Sequence, residues 1–105
     1  MGEFMAIEQG KIDGDLQVSD SYVLQGMVTG NVFVLSGGHL TLQGMCGRDL
    51  VVNEGGVALV EGTVLGNVRN QGGTLQVSGV VSGQLISSHG QTQVVPGAVV
   101  NGVQA

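Results

Sequence analysis

The chain has 105 residues, of which 42% are apolar, 3% aromatic and 10% charged, with 20 glycines and a formal net charge of −5. This length fits one domain, and three strong cations, Lys11, Arg48 and Arg69, cannot build the basic stripe that nucleic acid or an anionic membrane surface requires. The single cysteine, Cys46, excludes an internal disulfide framework and fits a reducing, cytoplasmic compartment.

Residues 1–9 precede any repeat. They are read as an N-terminal segment, in part an expression remnant at Met1 to Phe4 or an end cap. Residues 10–105 are read as one β-helix domain. Gly10-Lys11-Ile12-Asp13-Gly14-Asp15-Leu16 is the first copy of a phrase that returns from Gly26, Gly44, Gly62, Gly79 and Gly97. The steps between leading glycines are 16, 18, 18, 17 and 18 residues. A fixed step of this size predicts a solenoid of stacked coils.

Within each coil the apolar residues fall in columns. Two after the leading glycine stand Ile12, Val28, Cys46, Val64, Val81 and Val99. Six after it stand Leu16, Val32, Leu50, Val68, Leu85 and Val103, and eight after it Val18, Val34 and Val52, then Asn70 and Ser87. Two before it stand Leu24, Leu42, Val60, Val77 and Val95; four before it stand Tyr22, Leu40, Ala58, Leu75 and Gln93. Residues two apart on a strand share a face. Each coil is therefore three short strands around one apolar interior. The predicted fold is an all-β, single-stranded parallel β-helix of triangular section with about six coils.

Turn chemistry separates the strands. One corner carries Gly14, Gly30, Gly66 and Gly83, each followed by Asp15, Asn31, Asn67 or Gln84. Stacked Asn and Asp can hydrogen-bond along such a corner. A second corner carries Gly37-Gly38, Gly55-Gly56, Gly72-Gly73 and Gly90, and Pro96 stands directly before a leading glycine. A sandwich of hairpins is disfavoured, because Asn101-Gly102 is the one Asn-Gly hairpin signal.

The residues that could carry chemistry are scattered. His39 and His89 occupy different columns, and Cys46 lies in the interior valine column without an aligned base. Asp13, Asp15 and Asp20 lack the pattern of a calcium loop. No catalytic, cofactor or metal site is assigned, and no small-molecule substrate is evident.

The ends are the functional clue. An open solenoid end exposes unpaired backbone and a slice of core, and such edges template further pairing. Outward apolar residues suggest the sides as a second surface: Met27, Met45 and Val80 one after the leading glycine, Val23, Leu59 and Val94 three before it, and Phe33 beside them. Val99, Val100 and Val103 complete the terminal coil. Self-association into a homo-oligomer, end to end or lateral, is expected at these residues.

The Gly-x-Val-x-Gly-Asn-Val type of phrase, repeated over residues 10–103 with few aromatics, resembles the bactofilins, bacterial polymer-forming cytoskeletal proteins. The resemblance implies a right-handed triangular β-helix joined end to end, in a cytoplasmic scaffold that meets the membrane only indirectly. Where that family often has an aromatic residue near the terminal coil, this chain offers Val99, Val100 and Val103. Two alternatives come from other classes. The left-handed β-helix acyltransferases need an aliphatic residue every six positions, a rule that fails at Asn70 and Ser87-Ser88. A small β-helix that binds a partner without polymerising is the other.

Overall fold

The computed structural model describes residues 5–8, 10–101 and 103–104. Residues 1–4 and Gln9, part of the expected N-terminal segment, lie outside that set, as do Gly102 and Ala105. In chain order the strands are β1 (Met5–Glu8), β2 (Lys11–Ile12), β3 (Leu16–Val18), β4 (Ser21–Leu24), β5 (Met27–Val28) and β6 (Val32–Val34). They continue as β7 (His39–Leu42), β8 (Met45–Cys46), β9 (Leu50–Val52), β10 (Val57–Val60) and β11 (Thr63–Val64). The last are β12 (Val68–Val77), β13 (Val80–Val81), β14 (Leu85–Val94), β15 (Val99–Val100) and β16 (Val103–Gln104).

These strands stack in parallel as a β-solenoid of about five turns, one fewer than the six coils expected. One face is the ladder β2-β5-β8-β11-β13-β15. A second runs β3-β6-β9 and a third β1-β4-β7-β10, and both continue into β12 and then β14. The second and third faces merge there because β12 and β14 pass through the corner as single ten-residue strands.

The interior is the set of columns the repeat predicts. Val28, Cys46, Val64 and Val81 stack in register on the first face and are fully buried. Val32, Leu50 and Val68, with Val34 and Val52, fill the second. Leu24, Leu42, Val60 and Val77, with Leu40, Ala58 and Leu75, fill the third. Burying a Val or Leu side chain contributes about 1.5–3 kcal/mol, so this column is the main stabilising term.

The leading glycines have a packing reason. A Cβ on Gly62 would run into the carbonyl oxygen of Gly44, and one on Gly44 into that of Gly26. Successive coils approach backbone to backbone there, and no side chain fits between them.

The last coil departs from the expected register by one residue. Val80 pairs with Val99 and Val81 with Val100, so Ala98, and not Gly97, stands over Gly79. The cause is a two-residue insertion at the preceding corner. Val77 pairs with Val94, three residues before Val80, whereas Val94 precedes Val99 by five. Ala98 N–H donates to Val95 O at 3.2 Å across Pro96-Gly97, and Gly97 has φ +97. Pro then Gly at the centre of a turn, the Gly at positive φ, is the type II signature. Ala98 is consequently buried.

Three interior expectations move with this shift. Val100, not Val99, occupies the valine column. Thr92 and Val94, not Gln93 and Val95, face inward opposite Leu75 and Val77. Val103 does not begin another parallel strand: β16 turns back and pairs antiparallel with β15, Val100 opposite Val103. Asn101, with φ +52, stands at that turn. This is the single hairpin among the described residues.

Candidate functional site

The residues singled out for self-association fall on three faces and at one end. Met27, Met45, Thr63, Val80 and Val99 form one outward column on the first face. Leu65, 46% exposed, and Val80, 38% exposed, are the most open large apolar residues. Val23 and Leu59 share an outward column on the third face, with Thr41 between them. Phe33 lies on the second face beside Val51, followed by Arg69 and then Ile86. They do not form one stripe.

Val94, expected outside, is instead half-buried against the core, as is Val100 of the terminal coil. The inserted turn that moved the register accounts for both. They are the last apolar layer of the interior, together with Leu85. The side chain of Val103 lies outside the described residues.

The two ends differ in construction. At the N-terminal end β1, β2 and β3 are the outer strands. Lys11 and Asp13 pair there at 3.6 Å, both largely exposed, and Asp15 and Asp20 are exposed beside them. At the C-terminal end β14 is the outer strand of two faces, bonded only to β12 among the described strands. On the remaining face β16 covers β15.

The interior turns polar toward the C-terminal end. Asn70 is fully buried in the column of Val34 and Val52. Its Nδ2 donates to Gly73 O at 3.1 Å, Gln91 O at 2.9 Å and Thr92 Oγ1 at 2.9 Å. Its Oδ1 accepts the N–H of Gly72 at 3.2 Å and of Gly73 at 2.9 Å. Thr92 Oγ1 then donates to Ser87 Oγ at 2.8 Å. A buried amide with this many partners is stabilising where an unpaired one would be costly. This knot ties β12 to β14 across their shared corner.

Charge is divided along the chain. All eight acids and all three strong cations precede Asn70, and residues 70–105 contain no Asp, Glu, Lys or Arg. His89 is the one ionisable side chain in that stretch. Neither this division nor the Asn70 knot follows from reading the repeat. The first could be found by plotting charge along the chain. The second required seeing Asn70, Ser87 and Thr92 as members of inward columns, not as breaks in them.

The corner residues and Cys46 are structural. Asp15 Oδ1 accepts Asn31 N–H at 2.8 Å, and Asn31 Oδ1 accepts Asp49 N–H at 3.0 Å. The expected Asn/Asp stack exists, and each bond runs from side chain to the next backbone. On the outer surface Gln25 donates to Gln43 at 3.1 Å and Gln43 to Glu61 at 3.2 Å. Burial pushes the Cys46 thiol up from its ordinary value, with the Asp49 carboxylate adding to the rise against a lowering backbone hydrogen bond from Arg48. Cys46 Sγ lies 3.5 Å from Arg48 O. A buried thiol held neutral packs as a small apolar side chain. His39 and His89 lie in different columns, opposite Val57 and Gln71 respectively.

Among the described residues no group of three His, Cys, Asp or Glu side chains is placed to hold a metal ion. No described helix is long and apolar enough to cross a membrane. The chain matches no family model, no curated protein and no solved structure.

Proposed function

We propose that this chain is a non-enzymatic structural module, a β-solenoid that self-associates through its ends into a homo-oligomeric scaffold. The observation that carries the reading is β14: ten residues of outer strand without Asp, Glu, Lys or Arg, whose Leu85 and Val94 form a half-buried layer with Val100. Sheet edges that remain single are normally blunted by Lys, Pro or inward charge. Here none of the ten residues carries a fixed charge or is proline, and the one such device in the β12–β14 pair is the register shift at the corner beside Gln71. The likeness of the repeat to bactofilins fits the same role, a cytoplasmic cytoskeletal polymer that works without nucleotide. The acidic balance of −5 argues against nucleic acid as the partner.

The test is mass against concentration. Light scattering over a dilution series, followed by negative-stain imaging of the most concentrated sample, is expected to show reversible oligomers or rods. A monomer at every concentration would overturn the reading.

A further inference from the structure

The third face differs from the other two in charge and width. The outward column of the first face starts at Lys11, and that of the second includes Arg69. From β4 onward the third face presents two outward columns, and neither contains Asp, Glu, Lys or Arg. The acids nearest to it, Asp20, Glu54 and Glu61, stand at the corners on either side.

A small surface cavity lies on β4 and β7. Ser21 pairs with His39 and Val23 with Thr41, and these four residues line it together with Tyr22. Its volume is about 120 Å³. A pocket that encloses a drug-sized molecule has roughly 300–1,000 Å³. This one therefore holds a single ring of a longer ligand, and the rest of that ligand lies along the face. Val57 and Leu59 come next on the same two columns, then Thr74 and Gln76, and last Gln91 and Gln93. From β4 to β14, four steps of about 4.8 Å make a track about 19 Å long.

The side chains on this track select the ligand. Hydroxyls and amides both donate and accept hydrogen bonds, as a neutral imidazole does, so they match a ligand dense in hydroxyl groups. Val23, Val57 and Leu59 give its C–H faces an apolar surface. A fixed charge on the ligand would lose water without gaining a counter-ion. A peptide strand is a poorer occupant, because β4, β7 and β10 are each already paired on both sides and leave no edge for strand addition. We propose that the third face binds a neutral, hydroxyl-rich oligosaccharide, with one sugar ring in the cavity of Ser21, His39 and Thr41 and the following rings along β10, β12 and β14. The site uses the face of β14 and leaves its edge open, so it stands or falls separately from the scaffold reading.

Amide NMR of the full chain tests this, with cellohexaose, chitohexaose and maltohexaose as neutral probes. Hexagalacturonate serves as the charged probe and an uncharged Gly-Ser peptide as the peptide probe. At least one neutral hexasaccharide is expected to shift the amides of residues 21–23, 39–41 and 57–59 ahead of those of Met27, Met45 and Phe33. It is expected to bind about tenfold more tightly than its own monosaccharide, because the cavity takes only one ring. His39→Ala and Gln76→Ala are each expected to weaken it about three- to tenfold, the worth of one hydrogen bond, with amides away from the third face unmoved. Third-face amides that respond to none of the three neutral sugars would overturn the proposal. So would tighter binding of hexagalacturonate or of the peptide, equal affinity for monosaccharide and hexasaccharide, or full affinity in His39→Ala.

Discussion

Asp49 Oδ1 accepts the backbone N–H of Asn67 at 2.9 Å, one coil above it. Asn67 Oδ1 then accepts Gln84 N–H at 2.8 Å, so four such bonds climb one corner from Asp15 to Gln84. What each rung uses is a carbonyl-type oxygen at fixed reach, and carboxylate or amide supplies it. Asp49→Asn is therefore expected to leave stability within about 0.5 kcal/mol. Asp49→Ala strands the Asn67 N–H and is expected to cost about 1–2 kcal/mol. Urea unfolding with an unchanged slope measures both.

The stacked glycines make a second prediction, with an internal control. Gly62→Ala drives a methyl into the carbonyl of Gly44. Overpacking against backbone is expected to cost about 1–3 kcal/mol or more. Ala98 stands in the same column one turn beyond Gly79 and is already buried. Ala98→Gly is expected to cost no more than about 1 kcal/mol, for one lost buried methyl and a freer chain. Thermal melting of the two variants compares them directly.

Those two columns explain how much the sequence discloses. Val28, Cys46, Val64 and Val81 were legible because an aliphatic column repeats at a nearly constant step, and one wrong residue in it does not hide the rest. The final coil was misread because Gly97 imitates a leading glycine. Pro96-Gly97 is a turn that adds two residues, and local turn chemistry outweighed the long-range period. The Asn70 knot was illegible for another reason. Its partners Gln91 and Thr92 lie a coil away, and an amide in an aliphatic column reads as a defect until its hydrogen bonds are seen. The outer surface was only partly legible. Outward apolar residues recur at the same step on every side of a coil, so the period names Met27, Val23 and Phe33 without saying that they lie on three separate faces.

Asn70 also makes a prediction that runs against simple hydrophobicity. Asn70→Val would extend the Val34 and Val52 column and raise the apolar content of the core. It would also orphan the N–H of Gly73 and the buried acceptors that Asn70 Nδ2 now serves. An unmet buried donor costs about 1–3 kcal/mol. Asn70→Val is expected to be destabilising by about that much, with hydrogen exchange accelerated at Gly73 and along β14 more than in β6 or β9. A stabilised variant would show that the amide network is dispensable.

Cys46 gives stability a pH dependence at the alkaline end. Its thiol is raised from 9.0 in the folded chain by burial. Above the unfolded thiol's range the unfolded chain sheds its proton while the folded chain keeps it. The folded state then binds more protons, so stability falls as pH rises from about 9 upward. Cys46→Val fills the same column and is expected to abolish this slope while costing less than about 1.5 kcal/mol at pH 7. Urea midpoints at pH 8 and pH 10 for both proteins check it. In the wild type, thiol reagents are expected to label Cys46 only as fast as the solenoid opens.

The remaining choice is between ends and sides. The outward column of Met27, Met45, Thr63, Val80 and Val99 rides on two-residue strands. Four steps of about 4.8 Å give it a length of about 19 Å, and two residues give a width of about 7 Å. That footprint is far below the roughly 800 Å² per partner of a stable interface. That column is therefore too small to hold copies together alone, whereas β14 at the end offers a ten-residue strand bonded only to β12 among the described strands, with half-buried apolar residues at both its termini. Leu65→Lys and Val80→Lys, at exposures of 46% and 38%, are expected to change folding stability by less than about 0.5 kcal/mol. They are also expected to leave the association constant unchanged within error, while Ser88→Asp at the end reduces it. If the two lysine variants abolish association and Ser88→Asp does not, lateral packing on the first face holds the oligomer, and the end is not its joint.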